Sequence, residues 1–250
     1  MQETIKRDDV IFILTGAGAS QDSGIQTYRG EDGYYNNDKS TNSAEEDLHV
    51  SNLVNSNKIW ERLLPLYDQI VNHEPGPTYK KLATLISESK NCMLVTQNID
   101  GYSLCLNDLV LYSDSQNITK LNVIELHGTH KTMSCITCMK KMEITKEFIE
   151  KQLKLESKAV KCDCGGIVRP DIVLFGEDLN IYLTTKIFTF IKKKRPTKVY
   201  VVGTSLQFPY LRKIINSCKQ LGAKVIHVNP VEPDKLGKNE QWVKSLDDII

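Results

Sequence analysis

Apolar and polar positions alternate along this chain in blocks rather than singly. Val10-Ile11-Phe12-Ile13-Leu14-Thr15 is an unbroken apolar run that stops at Gly16, the pattern of a short strand buried on both faces of a parallel sheet. Met93-Leu94-Val95-Thr96, Val199-Tyr200-Val201-Val202-Gly203 and Val225-Ile226-His227-Val228-Asn229 repeat it, each ending in small or polar residues. Helical spacing of apolar residues falls between these runs, over Ile59 to Val71, Thr78 to Ser87, Thr184 to Lys194 and Tyr210 to Leu221. Strands alternating with helices predict an α/β fold with a doubly wound, mostly parallel sheet. In such sheets ligands bind beyond the carboxyl ends of the strands, where the polar signatures of this chain lie.

Two stretches depart from the alternation. Gly30 to Asn57 is rich in Asn, Ser, Asp and Glu and reads as a loop leading into a helix. Cys135 to Cys164 holds four of the seven cysteines in two tight pairs, Cys135-Ile136-Thr137-Cys138 and Cys162-Asp163-Cys164. Four thiolates so spaced suit a closed, structural zinc site, and a short module of this kind needs a metal to order it. The expected division is therefore a discontinuous dinucleotide-type domain over residues 1–34, 68–127 and 169–250, with a smaller domain over 35–67 and 128–168. Cys92, Cys105 and Cys218 stand outside any pair and read as small buried apolar residues.

Composition narrows the partners. The net charge is +1 with 25% charged residues, so no strong field marks the protein for nucleic acid or an acidic membrane. No apolar run approaches the roughly 20 residues needed to span a bilayer, and Met1 to Asp9 lacks the apolar stretch of a signal peptide. A monomer in the cytoplasm, or at least inside the cell, is the expectation. The cluster Lys192-Lys193-Lys194-Arg195 reads as a solvated helix end.

The candidate chemistry begins at Gly16-Ala17-Gly18-Ala19-Ser20, directly after the first strand. Glycines there let backbone approach a pyrophosphate, although taken alone the loop serves equally as a turn that only backbone geometry requires. Thr96-Gln97-Asn98-Ile99-Asp100 offers amide and carboxylate groups at a strand end, fit to grip a carboxamide and a ribose or simply to close a turn. His127, one of five histidines, has an ordinary pKa near ~6.5 that suits a general base.

Taken together these segments resemble the sirtuin family. Gly16 to Arg29 looks like its first signature and Thr96 to Gly101 its second. Glu125-Leu126-His127-Gly128 resembles the third, Arg169 to Glu177 the fourth, and Gly203-Thr204-Ser205-Leu206 with Val228-Asn229-Pro230 the last. The resemblance covers nearly the whole chain. It implies a Rossmann-type domain and a small zinc-bearing domain, with NAD+ and an acylated lysine of a protein substrate meeting in the cleft between. By that resemblance Gly16, Ala17, Gly18, Ser20, Ile25, Tyr28, Arg29, Gly203, Thr204, Ser205, Asn229, Ser245 and Leu246 bind the dinucleotide. Gln97 holds the nicotinamide ribose, and Asn98, Ile99 and Asp100 hold nicotinamide, with Asn98 and Asp100 also catalytic. The acyl oxygen attacks C1′ of the nicotinamide ribose, nicotinamide leaves, and His127 activates a ribose hydroxyl. Val173 and Phe175 line the lysine tunnel, while backbone near Gly176 and Glu177 pairs with the substrate chain. Cys135, Cys138, Cys162 and Cys164 hold zinc.

Some residues depart from the family pattern. Tyr28 stands where phenylalanine is usual, the connection from Gly101 to Glu125 is long, the second cysteine pair is C-x-C instead of C-x-x-C, and Trp242 to Leu246 lacks a glycine. The segment Trp60 to Tyr67 lacks the Tyr-x-x-Arg that pairs with acidic acyl groups, so a short neutral acyl group is expected. The same Asn98, Asp100 and His127 would also serve an NAD glycohydrolase or a protein mono-ADP-ribosyltransferase, and a zinc-ribbon binding module without catalysis is a further alternative.

Overall fold

In a computed structural model of the chain, residues 5–6, 8–27, 33, 43–89, 91–111, 121–155 and 157–249 are described. The run that opens the sequence is strand β1 (Val10–Thr15), followed by a 3-10 turn at Ala17–Ser23. Helices α1 (Ala44–Asp47), α2 (Asn57–Val71) and α3 (Pro77–Ser87) lead to β2 (Asn91–Thr96), α4 (Tyr102–Leu111) and β3 (Asn122–Glu125). A second group of elements comprises β4 (Gly128–Cys135), β5 (Lys141–Glu143), α5 (Lys146–Leu153) and β6 (Val168–Ile172). The chain then continues through α6 (Ile181–Lys194), β7 (Lys198–Val202), α7 (Pro209–Gln220), β8 (Lys224–Val228) and β9 (Glu240–Val243).

Six strands form one parallel sheet in the order β3-β2-β1-β7-β8-β9. The chain leaves β1 toward β2 on one side and returns at β7 on the other, so the strand order reverses between β1 and β7. That reversal opens the crevice in which doubly wound sheets bind ligands. Side chains of β1 alternate between two cores. Ile11 and Ile13 pack with α2, α3 and α4, whereas Phe12 and Leu14 pack with α6 and α7. A strand covered on both faces must be apolar at every position, which is why β1 reads as an unbroken run.

The expected helices are present, each beginning one to three residues earlier than the apolar spacing suggests. Polar capping residues or proline start them: Asn180 caps α6, accepting from Tyr182 and Leu183, and Pro77 and Pro209 open α3 and α7. The expected polar loop before α2 contains α1 and a 3-10 turn at Val50–Asn55 over its described part. Ser43 and Glu46 close a capping box on α1, local chemistry that an apolar-periodicity reading misses.

The smaller module is a three-stranded antiparallel sheet, β5-β4-β6, with α5 alongside. Its core joins Met133, Ile144, Ile149, Val160 and Val168 to Trp60 of α2, whose indole N–H donates to the Val168 carbonyl at 3.2 Å. The apolar segment Val173 to Phe175 is not a strand; the strand is Val168–Ile172, and Phe175 makes a single parallel bridge with His49.

Candidate active site

Close backbone packing builds the first wall of the cleft. Gly18 N–H donates to the Gly203 carbonyl at 2.9 Å, and Gly16 N–H donates to Val202 O at 3.0 Å. A Cβ on Gly18 would stand 2.8 Å from Gly203 Cα, and one on Gly203 would stand 2.3 Å from the Ala19 nitrogen. Gly203 also has φ +62°, which favours glycine. The loops after β1 and β7 thus interlock at the switch point only because these positions lack side chains. The turn after β1 is 3-10, and it presents Gly16, Ala17 and Gly18 to a cleft of about 1600 Å³.

Beneath that wall lies a buried polar network. Ser20 Oγ donates its one hydrogen to Asp100 Oδ2 at 2.6 Å, so it accepts from Asn98 Nδ2 (2.9 Å) and from the Tyr79 hydroxyl (2.8 Å). Asn98 Nδ2 also donates to Gly16 O at 3.0 Å, and Asp100 Oδ1 accepts from Tyr102 N–H at 2.9 Å. Burial pushes the Asp100 carboxyl up, opposed by these donors. Asn98 Oδ1 is buried with no partner among the described residues. An orphaned acceptor with its amide nitrogen already pinned is suited to an N–H or O–H donor of a ligand. Gln97 is held by Nε2 to Thr15 O (3.2 Å) and to Thr204 Oγ1 (3.0 Å).

His127 follows β3 and faces the same cleft. Its Nδ1 is 2.9 Å from the Gln97 carbonyl, which can only accept, so Nδ1 carries the hydrogen and Nε2 the lone pair. Burial pushes His127 down to about 4, opposed by the Gln97 bond, which keeps the imidazole neutral near pH 7. Burial likewise pushes Glu125 up to about 7, with Lys131 opposing and Asp100 reinforcing.

These two shifts oppose each other in stability. From the ordinary 6.5 down to about 4, the unfolded chain holds a proton on residue 127 that the folded chain lacks, so stability falls with pH through that window. From the ordinary 4.5 up to about 7, the folded chain holds a proton on residue 125 that the unfolded chain has lost, so stability falls as pH rises. In Glu125→Gln the carboxyl contribution is removed and that of His127 is no longer opposed by it. Urea unfolding is expected to show this variant losing stability faster than the parent between pH 7 and 5; parallel curves would contradict the buried carboxyl.

The fourth signature segment bends around its own ion pair. Arg169 grips Glu177 with both guanidinium nitrogens, Nη2 to Oε2 at 2.7 Å, and the same Oε2 accepts from Leu174 N–H at 2.8 Å. Phe175 N–H donates to Leu48 O and Phe175 O accepts from Val50 N–H, so one edge of this segment is paired within the chain. Glu177 N–H is also used, by Leu174 O at 3.1 Å. Among the described residues no hydrogen bond engages the Gly176 backbone, which lines the cleft with Val173, Phe175 and Glu177.

Gly16, Ala17, Gly18, Gln97, Asn98, Ile99, His127, Gly203, Thr204, Ser205 and Asn229 all line the one cleft, and Ser20 and Asp100 sit in the network supporting it. Ile25 and Leu246 are buried in the core, and Ser245 caps the 3-10 turn Leu246–Asp248; none of the three is among the residues lining the cleft. Tyr28 and Arg29 lie outside the described residues. Sequence reasoning missed Tyr79, which supports Ser20 from α3, and Phe208 and Tyr210, which flank His127. Tyr79 falls at a core-facing helical spacing, and no pattern separates it from an ordinary apolar position.

The four cysteine Sγ atoms lie within 4.8 Å of one another, with Cys135 to Cys164 at 3.5 Å and Cys138 to Cys162 at 3.8 Å. Tetrahedral zinc with Zn–S of about 2.3 Å places sulfurs about 3.8 Å apart, so the cluster fits a closed structural zinc site. Amide N–H groups of Thr137 and Cys138 point at Cys135 Sγ, and that of Gly166 at Cys164 Sγ, as thiolate ligands require. The shortened C-x-C pair does deliver its second sulfur. Gly166 makes room, since a Cβ there would stand 2.6 Å from Cys135 Sγ.

A switch-point cleft floored by glycine backbone, a buried amide and carboxylate pair, a neutral histidine and a four-thiolate module define a dinucleotide-using enzyme with a structural zinc site. The Sir2 family profile matches residues 16–209, and the chain belongs to that family. It is similar to the NAD-dependent protein deacylase of Aquifex aeolicus, 34% identical over 226 residues that cover 89% of this chain and 84% of that protein. It is also similar to the NAD-dependent protein deacetylase of Thermodesulfovibrio yellowstonii, 29% identical over 93% of this chain and 84% of that one. Among solved structures, a Sir2 homologue bound to NAD is 27% identical with a TM-score of 0.68, covering 90% of this chain and 79% of the other. A mutant Sir2 homologue bound to ADP-ribose is 26% identical with a TM-score of 0.70, covering 90% and 82%.

Proposed function

We propose that the chain is an NAD-dependent protein lysine deacylase, which moves a short neutral acyl group from lysine to ADP-ribose and releases nicotinamide. The observation that carries this reading is the convergence of the glycine wall, the Asn98–Ser20–Asp100 network and the His127 imidazole on one cleft that also exposes the Gly176 backbone. NAD+ supplies the ribosyl carbon that accepts the acyl oxygen. The chain's own residues do the rest. Asn98 Oδ1 and the Asp100 carboxyl orient the carboxamide end, Gln97 holds the ribose, and His127 takes a proton from a ribose hydroxyl. Gly16, Ala17, Gly18, Gly203, Thr204, Ser205 and Asn229 carry the rest of the dinucleotide. Gly176, whose backbone groups are unengaged among the described residues, offers the edge on which an extended acylated peptide pairs, beside Val173 and Phe175.

Neutral acyl selection has support from α2. Among the described residues α2 contributes Leu63 and Leu66 to the cleft lining, an apolar surface that favours a neutral acyl tail on that side. The division proposed is a dinucleotide domain over residues 1–34, 68–127 and 169–250 and a smaller one over 35–67 and 128–168. Among the described residues no helix is long and apolar enough to cross a membrane. Four thiols converging on a metal suit a reducing compartment, and the cytoplasm is the proposed setting.

One assay tests the reading. Nicotinamide release from NAD+ should depend on an acetyl-lysine peptide, yield O-acetyl-ADP-ribose, and be at least about tenfold slower with a succinyl-lysine peptide, as an unpaired buried carboxylate implies. Rapid release without peptide would instead establish a glycohydrolase.

A further inference from the structure

His127 has a second partner that the reaction as described does not use. Tyr210 Oη stands 2.6 Å from Nε2, on the side of the ring opposite Gln97. Because Nδ1 carries the ring hydrogen, Nε2 can only accept, and the phenol must donate to it. The lone pair that general-base chemistry requires is therefore engaged by a protein hydroxyl. Both residues line the cleft.

The tyrosine is held from behind. It is the second residue of α7, after Pro209, and its ring stacks on Phe208 with centroids 5.4 Å apart and planes 10° from parallel. Both rings meet the imidazole edge to face, at 83° for Phe208 and 87° for Tyr210. Leu211, Ile214 and Ile215 anchor the helix in the core, so rotation of the Tyr210 side chain withdraws Oη from Nε2 without moving the helix. Burial pushes the Tyr210 hydroxyl up, which keeps its proton on oxygen and the contact a donor-to-base bond.

We propose that Tyr210 is a positioning and gating residue: its hydroxyl holds His127 with the lone pair on Nε2, and a ribose hydroxyl of NAD+ reaches that lone pair by exchanging with it. The Gln97 carbonyl sets the productive tautomer; the phenol orients the ring by engaging Nε2, and in doing so it competes with the substrate. A binding-competent state that is only partly populated weakens apparent affinity by that fraction. No covalent change occurs at tyrosine; one O–H donor replaces another on the same nitrogen, and the proton later taken by Nε2 comes from the ribose hydroxyl. The proposal rests on the deacylase reading for the identity of the competing hydroxyl.

Tyr210→Phe keeps the ring stack and removes only the donor. In the full chain, at saturating acetyl-lysine peptide, kcat/KM for NAD+ is expected to rise about fivefold, the worth of one net hydrogen bond. The 15N resonance of His127 Nε2 should move toward that of an imidazole nitrogen with no donor on it. A kcat/KM that falls tenfold would make the phenol a proton relay, and an unchanged kcat/KM would make it a bystander; either result overturns the proposal. The resonance shift needs no turnover. A protein with no deacylase activity but the expected shift would therefore refute the functional reading while leaving the His127–Tyr210 contact established.

Discussion

His127→Ala should reduce acetyl-lysine-dependent product formation by about 10² to 10⁴-fold, the usual worth of a positioned general base. The residue is poised for that role by three features acting together. The Gln97 carbonyl fixes the hydrogen on Nδ1, burial keeps the ring neutral, and the ring stands in the same cleft as the glycine wall. The glycine wall made by the loops after β1 and β7 does not include residue 127, so the variant should still bind NAD+ measurably by calorimetry, which separates a lost base from a collapsed cleft. Full activity in the alanine variant would remove histidine from the mechanism.

Cys135→Ser should have the largest effect on stability. Cys135 is fully buried at the end of β4, its sulfur accepts two amide N–H groups, and it belongs to the same apolar cluster as Met133, Val160 and Val168. A hydroxyl there is a poor zinc ligand, and in small modules metal binding is folding free energy. Metal analysis is expected to find well under one equivalent of zinc in the variant against one in the parent. Its thermal midpoint should fall by about 10 °C, as a loss of a few kcal/mol produces in a domain of this size. Because the indole of Trp60 bonds to Val168 O, tryptophan emission should shift to the red as the module loosens. A variant retaining a full equivalent of zinc would show that three thiolates suffice.

Much of this architecture is legible in the residues. Strands β1, β2, β7 and β8 each carry a nearly continuous apolar stretch because both faces are covered, and that burden leaves a recognisable run. The strands of the small module are not legible in this way. β4 is Gly128-Thr129-His130-Lys131-Thr132-Met133-Ser134-Cys135, with few apolar positions, since a metal and a single apolar face hold it rather than a two-sided core. Nor does Val173 to Phe175 reveal that it is not a strand. The Arg169–Glu177 pair bends the chain there, and that pairing exists only once the ends meet.

The glycines at 16, 18 and 203, the spacing of the cysteines and the order of polar signatures after the strands are properties of the sequence, because each reflects a local steric or chemical demand. It therefore determined the doubly wound sheet, the zinc module and the set of groups that can serve NAD+ chemistry. Tertiary structure alone decided how those groups are connected. It placed Ser20 between Asn98, Asp100 and Tyr79, aimed the Gln97 carbonyl at His127, and set the Tyr210 hydroxyl on the imidazole's free nitrogen. Each of those contacts joins residues at least 30 positions apart, across loops whose closure no local periodicity records.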